Sequence, residues 1–286
     1  MPTKSALFPI VGFCVFVVAC GPGGGGTGTT KTSVKPGTPE YFWAAANQEF
    51  RNGDFDKTVA NLSKLDANEK FAPRSEPWHM IVAAGMAQGY IELADRYDAG
   101  GRANKGANAG FSRLKSQCEA GANSATLDFA EVLHKFLATN KDPEVALAFA
   151  APTGSAAEPP ETGKITKGIL PGEAEAASVQ KAMLRRGVLL NTSAAMGDKD
   201  DVAKALDAFK QGEVKIPRDA FLRSIAQIAY DRAQIYMPKK LDQPKRLQVM
   251  YSQALAALDA IPSQTKADKD LEKKIKDDLK KYHLTS

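Results

Sequence analysis

Cysteine is scarce in this sequence, and its placement matters more than its number. Of three cysteines in 286 residues, Cys14 lies inside the leading apolar run, Cys20 ends it and Cys118 stands alone. Once that leader is removed no intrachain disulfide framework is possible, so stability has to come from a packed core. Cys118 shares an apolar helical stripe with Phe111 and Leu114, which reads as a small buried hydrophobe rather than a reactive thiol. Histidine is equally sparse: His79, His134 and His283. None forms a metal-binding spacing with another ligand type, and HExxH, CxxC, GxSxG, a P-loop and a strand-borne GxGxxG are all missing. No metal, cofactor or catalytic residue is therefore expected. His79, beside Trp78, reads as a helix-start residue and His134 as a partly buried helix residue.

A concentrated basic tract is also missing. The net charge of +5 is spread along the chain. The one dense run, "KADKDLEKKIKDDLKK", alternates in sign and reads as a solvated helix face rather than a nucleic-acid footprint. The acidic "DKDD", Asp198 to Asp201, bunches its carboxylates where a helix begins, which suits capping better than a calcium loop. Period-two alternation and Asn-Gly hairpins are wanting from Pro39 onward, so no strand is expected.

Long hydrophobic runs are limited to one. Ala6 to Ala19 is almost uninterruptedly apolar behind Lys4, the pattern of a secretory signal. At about fourteen residues it is short of the roughly 20 that a spanning helix needs. It ends in "VVAC", Val17 to Cys20, followed by "GPGGGGTGTTKTSVKPGTPE". That ending resembles the lipobox of bacterial lipoproteins. The resemblance implies cleavage after Ala19, diacylglycerol on the Cys20 sulfur and acylation of the new N-terminus. Cys14, preceded by bulky Phe13, does not fit the pattern. Ordinary signal-peptide cleavage after Ala19 is the rival reading. Glycine rather than aspartate after Cys20 points toward the periplasmic face of the outer membrane in a diderm organism. The glycine-rich stretch has no apolar face. About 19 such residues reach roughly 25 Å, enough to hold a body clear of headgroups, and several acyl chains anchor it stably.

The rest of the chain reads as helices, with apolar residues recurring at three and four. "PEYFWAAANQEFRNGDFDKTVANLSKL" sets Phe42, Ala45, Ala46 and Phe50 on one face, breaks at Gly53, and resumes through Val59, Leu62 and Leu65. This resembles the tetratricopeptide repeat, a helix pair with an aromatic-small-small-aromatic first helix and a Gly-Asp-aromatic turn (Gly53, Asp54, Phe55). Thr58 stands where the family prefers alanine. Further pairs are read at "PWHMIVAAGMAQGYIELADRY", where Gly85 and Gly89 let a neighbouring helix approach. They continue at "AGFSRLKSQC" with "NSATLDFAEVLHKFLA", whose Leu127, Ala130, Leu133 and Leu137 point inward. Another runs over "EAASVQKAMLRRGVLLNTSAAMGDKDDVAKALDAFKQG". The last joins "RDAFLRSIAQIAYDRAQIY" to "PKRLQVMYSQALAALDAIP". Leu271, Ile275, Leu279 and Tyr282 mark a C-terminal capping helix.

The expected fold is thus all-α: antiparallel helix pairs stacked as a tetratricopeptide-like α-solenoid with a C-terminal cap. Its parts are a signal peptide (1–19), a glycine-rich tether (20–39), a helical-repeat region (40–150), a Pro/Gly-rich loop or domain boundary (151–172) and a second helical-repeat region (173–286). In such arrays first helices line the concave face, which makes Tyr90, Tyr97, Tyr230 and Tyr236 candidate groove-lining residues. The reading this favours is a membrane-anchored envelope scaffold that binds protein in an assembly or transport complex. Its partners would be the membrane, through lipid, and envelope proteins, and not nucleic acid. A ligand-binding accessory component of a periplasmic transport system is the alternative, and would show a pocket with converging polar groups. An enzyme such as a wall hydrolase would need paired carboxylates in a cleft.

Overall fold

The computed structural model describes residues 34–150, 155–198, 201–210, 212–238 and 240–284. Cys14, Ala19, Cys20 and the glycine-rich run up to Ser33 lie outside them, as do Lys199 and Asp200 of the acidic run. The chain from Val34 onward forms one compact unit. It is built almost entirely of helices.

The first helix pair forms as its sequence predicts. Helix α1 (Pro39–Asn52) is capped by the Thr38 hydroxyl, which accepts from the Tyr41 amide, and has proline in its first turn. It stops at Gly53, whose left-handed backbone (φ 73°) turns its amide back onto the carbonyls of Glu49 and Phe50. Helix α2 (Phe55–Leu62) follows at once. The Thr58 hydroxyl, which departs from the repeat pattern, donates to the Asp54 carbonyl at 3.0 Å and so is accommodated in full burial. Phe50 and Phe55 meet edge to face at 5.8 Å.

Helix α3 (Ala72–Ala103) is the axis of the molecule. It packs along α4 (Asn108–Thr139) on one flank and α6 (Glu173–Ala195) on another. Every residue from Ser75 to Ala87 is buried. Trp78 gathers an aromatic cluster around it: Trp43 and Phe50 of α1 edge-on at 5.2 Å each, and Phe149 stacked at 4.9 Å. Phe149 in turn reaches Phe209, which ends α7 (Val202–Phe209).

The crossing of α3 on α6 rests on three glycines. A Cβ on Gly85 would lie 2.4 Å from the Val188 Cα, and one on Gly89 would lie 2.6 Å from the Met183 carbonyl oxygen. From the other side, a Cβ on Gly187 would fall 2.1 Å from the Gly85 carbonyl oxygen. The backbones therefore touch directly. A polar chain flanks the contact: Asn191 donates to Gln88 at 2.8 Å, Gln88 donates to Glu92 at 2.8 Å, and Arg186 pairs with Glu92.

Several expectations are corrected. The stretches "AGFSRLKSQC" and "NSATLDFAEVLHKFLA" are not a pair but the single helix α4. The intervening Gly121 is helical, and the Tyr90 ring sits 2.8 Å from where its Cβ would be. Leu127 points outward, 36% exposed, and His134 is exposed. Two strands occur among the described residues, β1 (Glu144–Leu147) and β2 (Val214–Pro217), paired antiparallel with Val145 opposite Ile216. Four residues each are too few to show a period. The Pro/Gly-rich segment carries helix α5 (Glu161–Thr166), which packs on α3 and buries Thr162 and Ile165. Two helices of 32 residues, one of them touching many elements, differ from a stack of equal pairs that meet only their neighbours.

The C-terminal region holds the predicted pair, α8 (Arg218–Ala233) and α9 (Pro244–Asp259). Phe221, Ile225, Ile228, Ile235, Leu247, Met250, Ala254, Leu258 and Ile261, which recur at helical spacing, are all buried. Helix α10 (Lys266–Lys281) starts with a capping box between Thr265 and Asp268 and packs Ile275 and Leu279 onto α8 and α9.

Gly187→Ala is expected to lower unfolding stability by about 3 kcal/mol, since an overpacked backbone contact has no side chain to yield. Gly163→Ala, in α5 with open space around it, should be neutral or gain up to about 1 kcal/mol. Urea denaturation of both variants checks the contrast.

Candidate functional site

The four tyrosines taken as groove-lining are core residues. Tyr90, Tyr97, Tyr230 and Tyr236 are between 0% and 8% exposed. Tyr90 packs on Gly121. The Tyr236 hydroxyl donates to the Asn123 side-chain oxygen at 3.0 Å. The Tyr230 hydroxyl donates to Asp278 at 3.0 Å, and its ring stacks on Tyr251 at 5.7 Å. Burial raises the pKa of all four, and pushes Tyr90 and Tyr97 up to about 12. Cys118 is also buried, and burial, with Glu119 beside it, pushes its thiol up to about 12, the condition of an inert cysteine.

Chemistry instead collects where α3 begins and α4 ends. The turn after α2 supplies Asp66, the first turns of α3 supply Ser75, Glu76 and His79, and α4 supplies Asp128 and Thr139, with Asn140 just beyond its end. His79 is not a helix-start residue on the surface. It is 1% exposed and lies between two carboxylates. Its Nδ1 is 3.0 Å from Asp66 Oδ2 and its Nε2 is 2.8 Å from Asp128 Oδ2. Ser75 donates to the other Asp66 oxygen at 3.3 Å. Burial opposes protonation of the ring, but the hydrogen bonds to Asp128 and Asp66 outweigh it and raise the pKa to about 9. The imidazolium thus donates from both nitrogens at neutral pH. A general base needs one nitrogen free to face a substrate; here both are held by aspartate.

A cleft of about 460 Å³ opens beside this array. Asp66, Glu76, Thr139 and Asn140 line it, with Glu69, Lys141 and Asp142 around them. Glu76 is 1% exposed, and its hydrogen bond from the Thr139 hydroxyl is long, 3.5 Å. Burial first, then the neighbouring Asp66 charge, raises its carboxyl to about 7. Asn140 is 7% exposed and its side-chain oxygen has no hydrogen-bond partner.

No protein-family model, curated protein or solved structure matches this chain. The site therefore rests on its own geometry.

A second cleft, of about 180 Å³, lies against Asp98, Lys115 and Glu119. Three of these charges pair within it: Lys115 reaches Asp98 at 2.9 Å and Glu119 at 3.8 Å, and Arg102 also pairs with Asp98. The first cleft has no such internal balance. Among the described residues no three His, Cys, Asp or Glu side chains gather as a metal cage. Asp66, Glu76 and Asp128 were not singled out by their sequence pattern. The available signal was the unbroken apolar run "MIVAAGMA", which buries α3 all round and obliges any polar residue just before it to find partners.

His79 holds more protons folded than unfolded between pH 6.5 and about 9. Its contribution to stability is therefore complete below pH 6.5 and disappears as pH rises through about 9. In His79→Gln the decline between pH 7.5 and 9 should vanish. At pH 6 the variant should be less stable by about 3 kcal/mol, because Asp66, whose side chain is 4% exposed, loses its countercharge. Urea unfolding at several pH values measures both.

Proposed function

We propose that this chain is an exported lipoprotein, cleaved after Ala19 and acylated at Cys20, whose helical body serves as a binding scaffold in the cell envelope. The observation that carries the reading is the run "FCVFVVACGPGGGG", Phe13 to Gly26, in which an apolar segment ends at a lipobox cysteine and passes into glycine. Two further facts support it. The compact helical unit starts at Val34, just after the glycine-rich run, so the linker precedes a folded body. No described helix is long and apolar enough to cross a membrane, so attachment would fall to lipid. In a diderm organism the periplasmic face of the outer membrane is the favoured location.

The scaffold part of the proposal draws on the α1–α2 helix hairpin, whose Gly53 turn and Phe50–Phe55 contact are compatible with the repeat pattern that its sequence resembles. Envelope proteins are the proposed partners. A non-catalytic role is supported by His79, both of whose nitrogens are occupied, and by Asp66, which is committed to His79 and Ser75 rather than free to pair with Glu76 as an acid–base couple. One observation favours the alternative of a ligand-binding accessory component: the cleft with a buried carboxyl and an unpartnered amide.

The tether is tested by expressing the full chain in a bacterium supplied with an alkyne-tagged fatty acid. The expected result is a labelled mature protein beginning at Cys20 and sedimenting with membranes. Cys20→Ser should be unlabelled and released. An unacylated N-terminus in the wild type overturns the proposal.

A further inference from the structure

We propose that the cleft between the start of α3 and the end of α4 binds a small organic cation, a protonated primary amine, held by the Glu76 carboxylate and the Asn140 side-chain carbonyl. This specifies the ligand-binding reading and does not depend on acylation at Cys20.

The argument begins with charge. Four carboxylates line the cleft: Asp66, Glu69, Glu76 and Asp142. The single cation among its lining residues, Lys141, donates to the Leu137 carbonyl at 2.7 Å, which turns its charge to the end of α4. His79 is committed to Asp66 and Asp128 behind the wall. Acids thus outnumber cations among the lining residues by four to one, which favours a cationic ligand over an anionic one.

Hydrogen bonding comes next. A buried acceptor without a donor is costly, and most such groups in folded proteins have partners. Two such acceptors belong to residues that line the cleft. The Asn140 side-chain oxygen has none, and Glu76 has only the long contact from Thr139. An ammonium group carries three donors and no acceptor, which matches this set. A carboxylate or phosphate ligand would meet like charge and acceptors facing acceptors. A divalent metal would need a cage of converging oxygens, and no such group of side chains is present among the described residues. The volume, about 460 Å³, is that of a small-molecule site.

Glu76 then acts as the responsive element. Titratable groups face it from each side: Asp66 from the turn before α3, His79 from α3 itself, and Lys135 from α4. Near neutral pH about half of the Glu76 carboxyls carry a proton. An ammonium placed against the carboxylate favours the ionised form, so binding expels a proton to solvent and strengthens as pH rises.

Isothermal titration of the full chain in mild detergent with putrescine tests this. Affinity should rise roughly tenfold between about pH 6 and pH 8. At pH 7 the measured heat should depend on the buffer's ionisation enthalpy in the sense of proton release. Glu76→Gln, isosteric with the neutral acid, should keep the fold by circular dichroism, weaken binding at pH 8 at least about tenfold and lose the pH dependence. Asp142→Asn, at the exposed rim, should weaken it only a few-fold. Absence of putrescine binding up to about 10 mM overturns the proposal, as does equal binding by Glu76→Gln. Magnesium or calcium bound with the same dependence on Glu76 also overturns it. None of these failures bears on whether Cys20 carries lipid, which the fatty-acid label reads separately.

Discussion

The direct contact of two backbones, α3 against α6 at Gly85, Gly89 and Gly187, is the constraint on which the rest of this structure hangs. Side chains ordinarily hold helix axes about 8–10 Å apart. Where the Cβ atoms are missing on both sides the axes close in, and neighbouring residues mesh more tightly around them. Val188, Met183 and Leu184 then lie over α3 with little or no exposure. The second flank of α3 uses the same device in a different form. Gly121 of α4 admits the Tyr90 ring, and Gly100 is crowded by Phe111 and the Ile165 carbonyl. A helix enclosed in this way can carry Trp78 at the centre of an aromatic cluster that joins α1, α7 and the segment after β1.

Enclosure has an electrostatic price. Ser75, Glu76 and His79 lie in the first turns of α3, at the start of a run from Ser75 to Ala87 in which every position is buried. Each must be satisfied by protein or stay neutral. His79 finds two aspartates and becomes a fixed cation. Ser75 completes the hydrogen bonding of Asp66. Glu76 makes no close ion pair and receives only the long Thr139 contact, and burial with the Asp66 charge raises its carboxyl to about 7. The same burial therefore gives one group that is charged well beyond its ordinary range and a neighbour that is poised near neutrality. Structural reinforcement and responsiveness occur within one turn of helix.

Much of the fold was legible in the sequence because its signals are local. The Gly53 stop, the aromatic face of α1, the apolar stripe of α10 and the inward stripe of α8 and α9 each depend on a few adjacent residues. The closeness implied by Gly85 and Gly89 was readable too, although the partner helix was not. What escaped was non-local. The continuity of α4 through Gly121 depends on the Tyr90 ring beside it, which lies 31 residues away. The strands "EVAL" and "VKIP" are too short to announce themselves and pair only through the tertiary fold. The acidic cleft joins residues from the turn at Asp66 to the end of α4 near Asn140, and no spacing rule reaches that far. The tyrosines misled for a related reason: an amphipathic ring on a helix is as well suited to a hydrogen-bonded core as to an open face.

The long-range ladder between β1 and β2 bears on the order of assembly. Synthesis proceeds from the N-terminus, so α3 and α4 can pair while α6 and β2 have yet to emerge. During that interval the glycine-lined flank of α3 faces water without its complement. Gly187 precedes β2 in the chain, so the complement to that flank emerges before Ile216 is available to pair with Val145.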